Sequence, residues 1–341
     1  MKTIERPACP VCHAAGVERY GALEDHLFGV PGTWRMKQCT RGGCGTLWLD
    51  PAPHPDDLWM AYQTYYTHAP APNVAASVGI LQDDRHQGWA AWRLKYPATL
   101  RALRKGLKLL LRPAEAERAE FLRMYLPWVR GGRLLDAGCG AGNQLRFMRA
   151  LGWDAEGLDP DPNAVKAANA AGLRVTQGDL LTAKFPDAAF DAVTMLHVVE
   201  HLVEPRRHIA ECLRILKPGG RLMLITPNAR SYGHRRFGKF WRGLESPRHL
   251  QVFTLPSLKQ LVTSLGFQVK RSHSSARDAG YLLLFSERIR SGSGRQAVGV
   301  TPGEVPPARL KRIEKLERFL GKCGCAVGEE LVLVARKPKR Q

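Results

Sequence analysis

No apolar run in this sequence comes near the roughly 20 residues that a bilayer-spanning helix requires. Its opening, Met1-Lys2-Thr3-Ile4-Glu5-Arg6, is polar and leads straight into Cys9-Pro10-Val11-Cys12, so no apolar secretory leader is read there. The expected compartment is therefore the cytoplasm, where paired cysteines hold metal more often than they form disulfides. Acids are scarce as well, with 31 Asp and Glu against 51 Lys and Arg and a formal net charge of +20. A surface this basic suits nucleic acid, anionic lipid head groups or phosphorylated compounds, and charge alone does not choose among them.

What is present begins with cysteine. Of eight in the chain, four fall in two short knuckles within residues 1–50, Cys9-x2-Cys12 and Cys39-x4-Cys44, the second in a glycine-rich turn. Knuckles on separate hairpins can bring four thiolates into a tetrahedron around Zn²⁺, the signature of a zinc ribbon. The expected ligands are Cys9, Cys12, Cys39 and Cys44, with His13 as a substitute. Four thiolates leave no open coordination position, so the expected role is structural, and a unit this small and polar needs its metal to fold.

Pro51-Ala52-Pro53-His54-Pro55 breaks regular structure and opens a basic, aromatic connector over residues 51–125. Tyr62, Tyr65 and Tyr66 fall on an expected short helix. From Arg85 to Arg112 there are eight Lys or Arg and no acid, interleaved with Trp89, Trp92, Tyr96 and a leucine pattern of helical period. Three readings stay open for that run: a helix packed on a catalytic domain with a solvated face, contact with an anionic membrane surface, or contact with RNA. Pro113 starts a further helix that runs to Tyr125.

The stretch that organises the rest is Leu134-Leu135-Asp136-Ala137-Gly138-Cys139-Gly140-Ala141-Gly142, an apolar strand, a tight turn and a helix start. Glycines let backbone approach a ligand closely, and the N–H groups of a helix start attract electron-rich groups. About twenty residues on, Gly157-Leu158-Asp159-Pro160 closes a second strand with an acid placed for a ribose diol. Further apolar runs, at 174–176, 190–196 and 221–226, alternate with helices and predict a parallel sheet covered on both faces. Residues 281–324 read as a helical insertion, partly disordered, with a charged helix from Ala308 to Leu320. Cys139 and Cys212 read as structural, and Cys323-Gly324-Cys325 has no assigned role.

With Gly178-Asp179, Phe190-Asp191, His197 to Leu202, Leu216 to Gly220, Thr226-Pro227-Asn228 and Pro247-Arg248-His249-Leu250 added, the chain resembles the zinc-ribbon-bearing class I S-adenosylmethionine-dependent methyltransferases, the broad group that includes ubiquinone O-methyltransferases. The matches run from about residue 130 to 270. That resemblance implies an α/β, Rossmann-like seven-stranded sheet with an N-terminal zinc ribbon and helical additions. Residues 266–270 and 330–335 look like the family's closing antiparallel pair. Residue by residue it implies that Gly138, Gly140 and Gly142 line the methionine moiety of S-adenosylmethionine, that Asp136 orders the loop, that Asp159 holds the ribose and Asp179 the adenine amino group, and that Leu180 flanks the ring. The ribbon is similar also to that of sugar C-methyltransferases and, more distantly, to that of a ribosomal-RNA guanine methyltransferase. The expected activity is methylation of a small-molecule hydroxyl on a sugar, lipid-linked or polyketide-like acceptor. An RNA methyltransferase using ribbon and basic surface is the alternative enzyme, and a non-catalytic module of this fold the alternative to catalysis.

The candidate catalytic residues are His197, His201 and His249. In Leu196-His197-Val198-Val199-Glu200-His201-Leu202, a helix starting where the strand ends would place 197, 200 and 201 on one face. The letters match an inverted zinc-protease motif, but the stretch follows a parallel strand beside a cofactor loop rather than lying in a long helix. Three roles stay open: ordering of the helix start, a metal-free histidine base, or a bound cation. In ubiquinone O-methyltransferases and small-RNA 2′-O-methyltransferases the similar segment, with Glu first, supplies ligands to a divalent cation. Here that place is His197, which suits softer metals than Mg²⁺. His249 completes either kind of site, and Arg248 and Trp241 are expected to help form the acceptor pocket.

Overall fold

The computed structural model describes residues 1–63, 117, 120–129, 131–294 and 306–339. The basic run from Arg85 to Arg112, Tyr65 and Tyr66, and the central part of the 281–324 insertion lie outside the described residues. Thirteen strands are described: β1 (Thr3–Ile4), β2 (Gly16–Leu23), β3 (Trp34–Cys39), β4 (Leu47–Leu49), β5 (Ala52–Pro53), β6 (Arg133–Ala137), β7 (Asp154–Asp159), β8 (Val175–Gln177), β9 (Phe190–Leu196), β10 (Leu216–Pro227), β11 (Gln251–Val252), β12 (Gln268–Ser275) and β13 (Glu330–Arg336). The helices are α1 (Asn143–Ala150), α2 (Pro162–Ala170), α3 (Pro205–Ile215), α4 (Tyr232–Phe237), α5 (Leu255–Thr263), α6 (Ala279–Arg290) and α7 (Ala308–Lys322).

A mixed seven-stranded sheet has the order β12-β13-β10-β9-β6-β7-β8. Parallel pairing joins β6 to β7, β6 to β9 and β7 to β8, while β12 and β13 run antiparallel. This is the class I methyltransferase arrangement, closing pair included. Strand β10 starts at Leu216 rather than at the expected Arg221, because the turn glycine Gly219, at φ +85°, is accommodated within the strand.

The chain divides into two compact units, one of Met1–Tyr66, Leu196–Leu213 and Leu224–Pro338, the other of Thr67–Met195, Arg214–Met223 and Lys339–Gln341. In the second unit Leu134, Leu135, Leu145, Met148, Ala155, Leu158, Phe190 and Val193 are buried, as the near-continuous apolar strands require. Helix α2 begins where Asp161 accepts from the Asn163 N–H at 2.9 Å, with Pro162 in the first turn.

In the first unit the sheet of the ribbon expected over residues 1–50 is completed by a later segment. Its sheet, β11-β4-β3-β2, takes its edge strand from residues 251–252, with Gln251 opposite Trp48 and Val252 opposite Leu47. Leu23, Trp34, Met36, Leu47 and Leu49 share one apolar cluster with Phe237, Trp241, Leu250, Leu283 and Leu310. A fifty-residue sheet with so little interior of its own gains burial by leaning on later elements. Helix α5 starts in a capping box, Thr254 with Ser257, and the Thr254 hydroxyl donates to the Cys44 carbonyl at 2.5 Å.

Candidate functional site

The glycine-rich turn sits between β6 and α1. Gly138, Gly140 and Gly142 have φ of +76°, +53° and +79°, the left-handed region that only glycine enters without strain. Their reasons differ. A Cβ on Gly142 would lie 2.3 Å from Leu173 Cδ1, so that glycine is needed for packing, whereas one on Gly140 would meet nothing within 4 Å. Open space beside a left-handed glycine is the cradle a ligand needs. Asp159, at the end of β7, accepts from the Gly140 N–H at 2.7 Å and from the Asp161 N–H at 3.0 Å. It therefore shapes the turn as well as standing in it.

Asp136 is buried and accepts from the Thr194 hydroxyl at 2.7 Å. Burial pushes its carboxyl up to about 7, against the Thr194 hydrogen bond and with the nearby Asp159 charge adding to the rise. Asp179 accepts from the Leu181 N–H at 2.8 Å in the turn after β8, and Leu180 is buried rather than presented to solvent. The loop as a whole fits S-adenosylmethionine: room beside Gly140, an acid at the end of β7 and the uncapped start of α1.

The histidines gather in the other unit, and no helix brings them there. His197 follows β9 directly at φ +53°, its N–H donating to the Ile225 carbonyl, and the chain then turns with His201 N–H donating to Val198 O. The expected helix start is absent because the left-handed residue and the turn replace it. His197 places Nδ1 3.3 Å from Glu200 Oε1 and Nε2 3.0 Å from Glu330 Oε1, and Arg277 Nη2 reaches both Glu330 oxygens at 2.8 and 2.9 Å. Burial works to lower the His197 pKa, but the two carboxylates outweigh it and raise it to about 9. With a carboxylate oxygen against each ring nitrogen, His197 is held toward its protonated form.

His201 and His249 pack edge to face with ring centroids 4.7 Å apart. His201 Nδ1 lies 3.1 Å from the Arg248 carbonyl and 2.9 Å from the Tyr62 hydroxyl, and His249 Nδ1 lies 2.8 Å from the Gly243 carbonyl. Burial lowers the pKa of both, with Glu200 opposing it at His201 and the neighbouring His201 adding to it at His249. A cleft of about 150 Å³ is lined by His197, His201, Trp241, His249, Leu282 and Glu330 among others. Trp241 is among the residues that line it. Arg248 is not: its side chain is 0 % exposed and bonded to Asp25 and Glu245, because a guanidinium so deeply buried must be fully paired.

The four ribbon cysteines converge. Cys9 and Cys44 Sγ are 3.8 Å apart, Cys12 and Cys39 Sγ 3.4 Å, and all four lie within 4.8 Å of one another with no disulfide. A tetrahedral ion with metal–sulfur bonds of about 2.3 Å sets its sulfurs about 3.8 Å apart, so the set fits. His13 is exposed and outside this group.

The sequence pattern of the methyltransferase domain family matches residues 99–272, just over half of the chain. The chain belongs to the methyltransferase domain family. A Mycolicibacterium smegmatis protein named "Probable S-adenosylmethionine-dependent methyltransferase" is 30 % identical over 152 residues, 44 % of this chain and 57 % of that one. The ubiquinone biosynthesis O-methyltransferase of Xanthomonas oryzae pv. oryzae is 40 % identical over 107 residues, 29 % of this chain and 45 % of that one. The chain thus spans about half the length of these relatives. Among solved structures, a SAM-dependent methyltransferase from Archaeoglobus fulgidus aligns over 66 % of this chain and 94 % of its own at 22 % identity, with a TM-score of 0.44.

Tyr62, Glu330 and Arg277 belong to the histidine cluster and carried no sequence signal for it. Glu330 opens a strand and Arg277 precedes a helix, so nothing in their own segments marks them. Tyr62 stood out only as one of several aromatics.

Proposed function

We propose that this methyltransferase transfers the methyl group of S-adenosylmethionine to a hydroxyl of a small-molecule acceptor. The observation that carries this reading is the loop from Asp136 to Gly142, with open space at the left-handed Gly140 and Asp159 beside it. The cofactor, when bound, supplies a methyl carbon already activated by its sulfonium, so the protein has to hold an acceptor and remove one proton. The Glu200, His201 and His249 cluster offers proton-accepting atoms beside a cleft of small-molecule size, and Trp241 and Leu282 give that cleft apolar walls. The relative named for ubiquinone biosynthesis supports an O-methyl acceptor as the class to test first.

We assign a structural zinc ion to Cys9, Cys12, Cys39 and Cys44. Their distances and the compartment expected from the sequence favour zinc over a disulfide pair. No helix among the described residues is long and apolar enough to cross a membrane, and peripheral contact of the basic connector with anionic lipid is part of this reading.

The deciding experiment incubates the protein with labelled S-adenosylmethionine and fractions of a cell extract. Label in small organic molecules supports the reading. Label in RNA, with binding that weakens steeply between two ionic strengths as counterions are released, would favour the alternative enzyme suggested by the net charge of +20.

A further inference from the structure

Among the charged residues that line the 150 Å³ cleft, one acid stands apart. His197 lies 3.3 Å from Glu200 and 3.0 Å from Glu330, and Glu330 also accepts from Arg277 at 2.8 and 2.9 Å. Arg242 pairs with Glu245, which Arg248 also holds at 2.9 Å. Glu329 lines the same cleft and is 1 % exposed, yet its partners among the described residues are neutral. The Gly233 N–H donates to Oε1 at 2.6 Å and the Trp241 indole N–H to Oε2 at 2.7 Å. One N–H donor on each oxygen favours the ionised carboxylate.

A glutamate is almost never buried this deeply without a cation beside it, because nothing else replaces its lost hydration. The chain makes room for the group all the same: a Cβ on Gly233 would stand 2.6 Å from both Glu329 oxygens. Burial pushes the Glu329 pKa up to about 7, against the bonds from Trp241, Gly233 and Ser231 and with the Glu330 charge adding to the rise. Glu317 on α7 adds to the imbalance. It is 1 % exposed, neither of its oxygens is hydrogen-bonded among the described residues, and burial first and then the Glu329 charge raise its pKa. Arg318, which opposes that rise, is itself paired with Glu314 at 3.1 Å. Charge left uncompensated in this way is a feature of sites that a ligand completes.

We propose that Glu329 is a specificity-determining residue that receives a protonated amino group of the methyl acceptor, so that the acceptor is a small hydroxyl compound that also carries an amine. Each Glu329 oxygen keeps a lone pair after its one N–H partner, and an ammonium group brings both the donors and the missing positive charge. A metal ion fits this place less well, because Glu329 belongs to neither group of convergent ligand atoms among the described residues. Trp241, His249 and Leu282 offer ring and aliphatic carbon to the frame that carries the amine. The inference deepens the proposed function by naming the acceptor class. It rests on that reading for the methylated product alone, since amine binding is measured without methyl transfer.

The test is a titration of the zinc-loaded full chain with benzylamine and with benzyl alcohol, a neutral probe of the same shape, read by saturation-transfer NMR. Benzylamine should bind the parent about tenfold more tightly or better, as a charge-assisted hydrogen bond provides. Glu329→Gln, which keeps the size and one acceptor oxygen, should lose that preference, with zinc content and far-ultraviolet circular dichroism reporting the fold. Leu282→Lys brings its own cation to the cleft wall, leaves the Glu329 donors in place, and should lose the preference as well. Equal binding of the two probes by the parent, or a preference that survives in folded Glu329→Gln, overturns the assignment. If Glu329→Gln does not fold, a preference that survives in Leu282→Lys overturns it. Product charge is the second readout. Label passed from S-adenosylmethionine to small molecules of a cell extract, once unreacted donor is removed, should be retained on a cation exchanger at neutral pH. Label that runs through entirely overturns the acceptor class and leaves methyl transfer standing. An intact amine preference with no labelled product overturns the methyltransferase reading and leaves the amine site standing.

Discussion

Arg248 and Asp25, 223 positions apart, form a forked ion pair with Nη1 and Nη2 at 2.9 and 3.0 Å from the two carboxylate oxygens. Both side chains are buried, and every remaining Arg248 contact is satisfied: Nε donates to Glu245 at 2.9 Å, Nη1 also to the Ala61 carbonyl, and the guanidinium lies 4.3 Å over the Phe28 ring. Burial alone would raise the Asp25 carboxyl, but Arg248 and the Phe28 and Val30 N–H groups outweigh it and hold it below the usual carboxylate range. The residue thus fastens the histidine segment to the loop between β2 and β3. Removing it takes the cation from buried Asp25 and one of two arginines from Glu245, so Arg248→Ala is expected to lower stability by about 3–5 kcal/mol in urea denaturation. Arg248→Lys should recover little of that, since an ammonium cannot reproduce the fork.

That pair also shows where sequence reading stops. The cofactor turn was legible because its chemistry is local: an acid, glycines at fixed intervals and a second acid at the next strand end are all written within thirty residues. The cysteine knuckles were legible for the same reason. His197, Glu200 and His201 were recognised by spacing, but the helix invoked to align them does not form, because His197 takes a left-handed turn instead. Arg248 looked like pocket chemistry because a motif letter carries no information about its partner. Asp25, Tyr62 and Glu330 meet the site from distant segments, and only the fold brings them.

The zinc ion proposed for the four cysteines predicts a coupled loss of structure. The Cys44 carbonyl accepts from the Thr254 hydroxyl, and β4 pairs with β11, so the ribbon and the start of α5 share hydrogen bonds. A Cys39→Ser, Cys44→Ser protein should retain well under one equivalent of zinc by metal analysis and become sensitive to protease within its first fifty residues. A full equivalent of tightly held zinc in that protein would remove the ligand assignment.

Glu317 predicts an unusual pH profile. It lies buried on α7, 1 % exposed, with neither carboxylate oxygen hydrogen-bonded among the described residues, and burial with the nearby Glu329 and Glu314 charges pushes its pKa up to about 9. A carboxyl with a raised native pKa binds more protons folded than unfolded, so stability declines as pH rises from its ordinary 4.5 toward 9. At pH 7 the penalty is on the order of 3 kcal/mol. Glu317→Leu should therefore raise stability, more at pH 8 than at pH 5. Equal denaturation midpoints for the two proteins at both pH values would contradict the assignment.

Asp159 offers the most direct test of the cofactor site, because it has two separable jobs. Its carboxylate fixes the Gly140 N–H at 2.7 Å, and at the end of β7 it is the acceptor proposed for the ribose hydroxyls. Asp159→Ala loses both and should weaken S-adenosylmethionine binding by about 1–3 kcal/mol in calorimetric titration, the range for a hydrogen bond to a charged acceptor. Asp159→Asn keeps one carbonyl oxygen and can still hold Gly140, so its loss should be smaller if loop shape dominates and nearly as large if ribose recognition dominates. Gly140→Ala separates the two further. Its Cβ would enter open space at a φ of +53°, which adds strain of roughly 1–2 kcal/mol and occupies the room proposed for the cofactor. Weakened binding in Gly140→Ala, with the thermal midpoint of the unliganded protein reduced only slightly, would place the ligand beside that glycine. Unchanged affinity in both Asp159→Ala and Gly140→Ala would remove S-adenosylmethionine from this loop, since no other contact proposed for it combines an acid and an open turn in the same way.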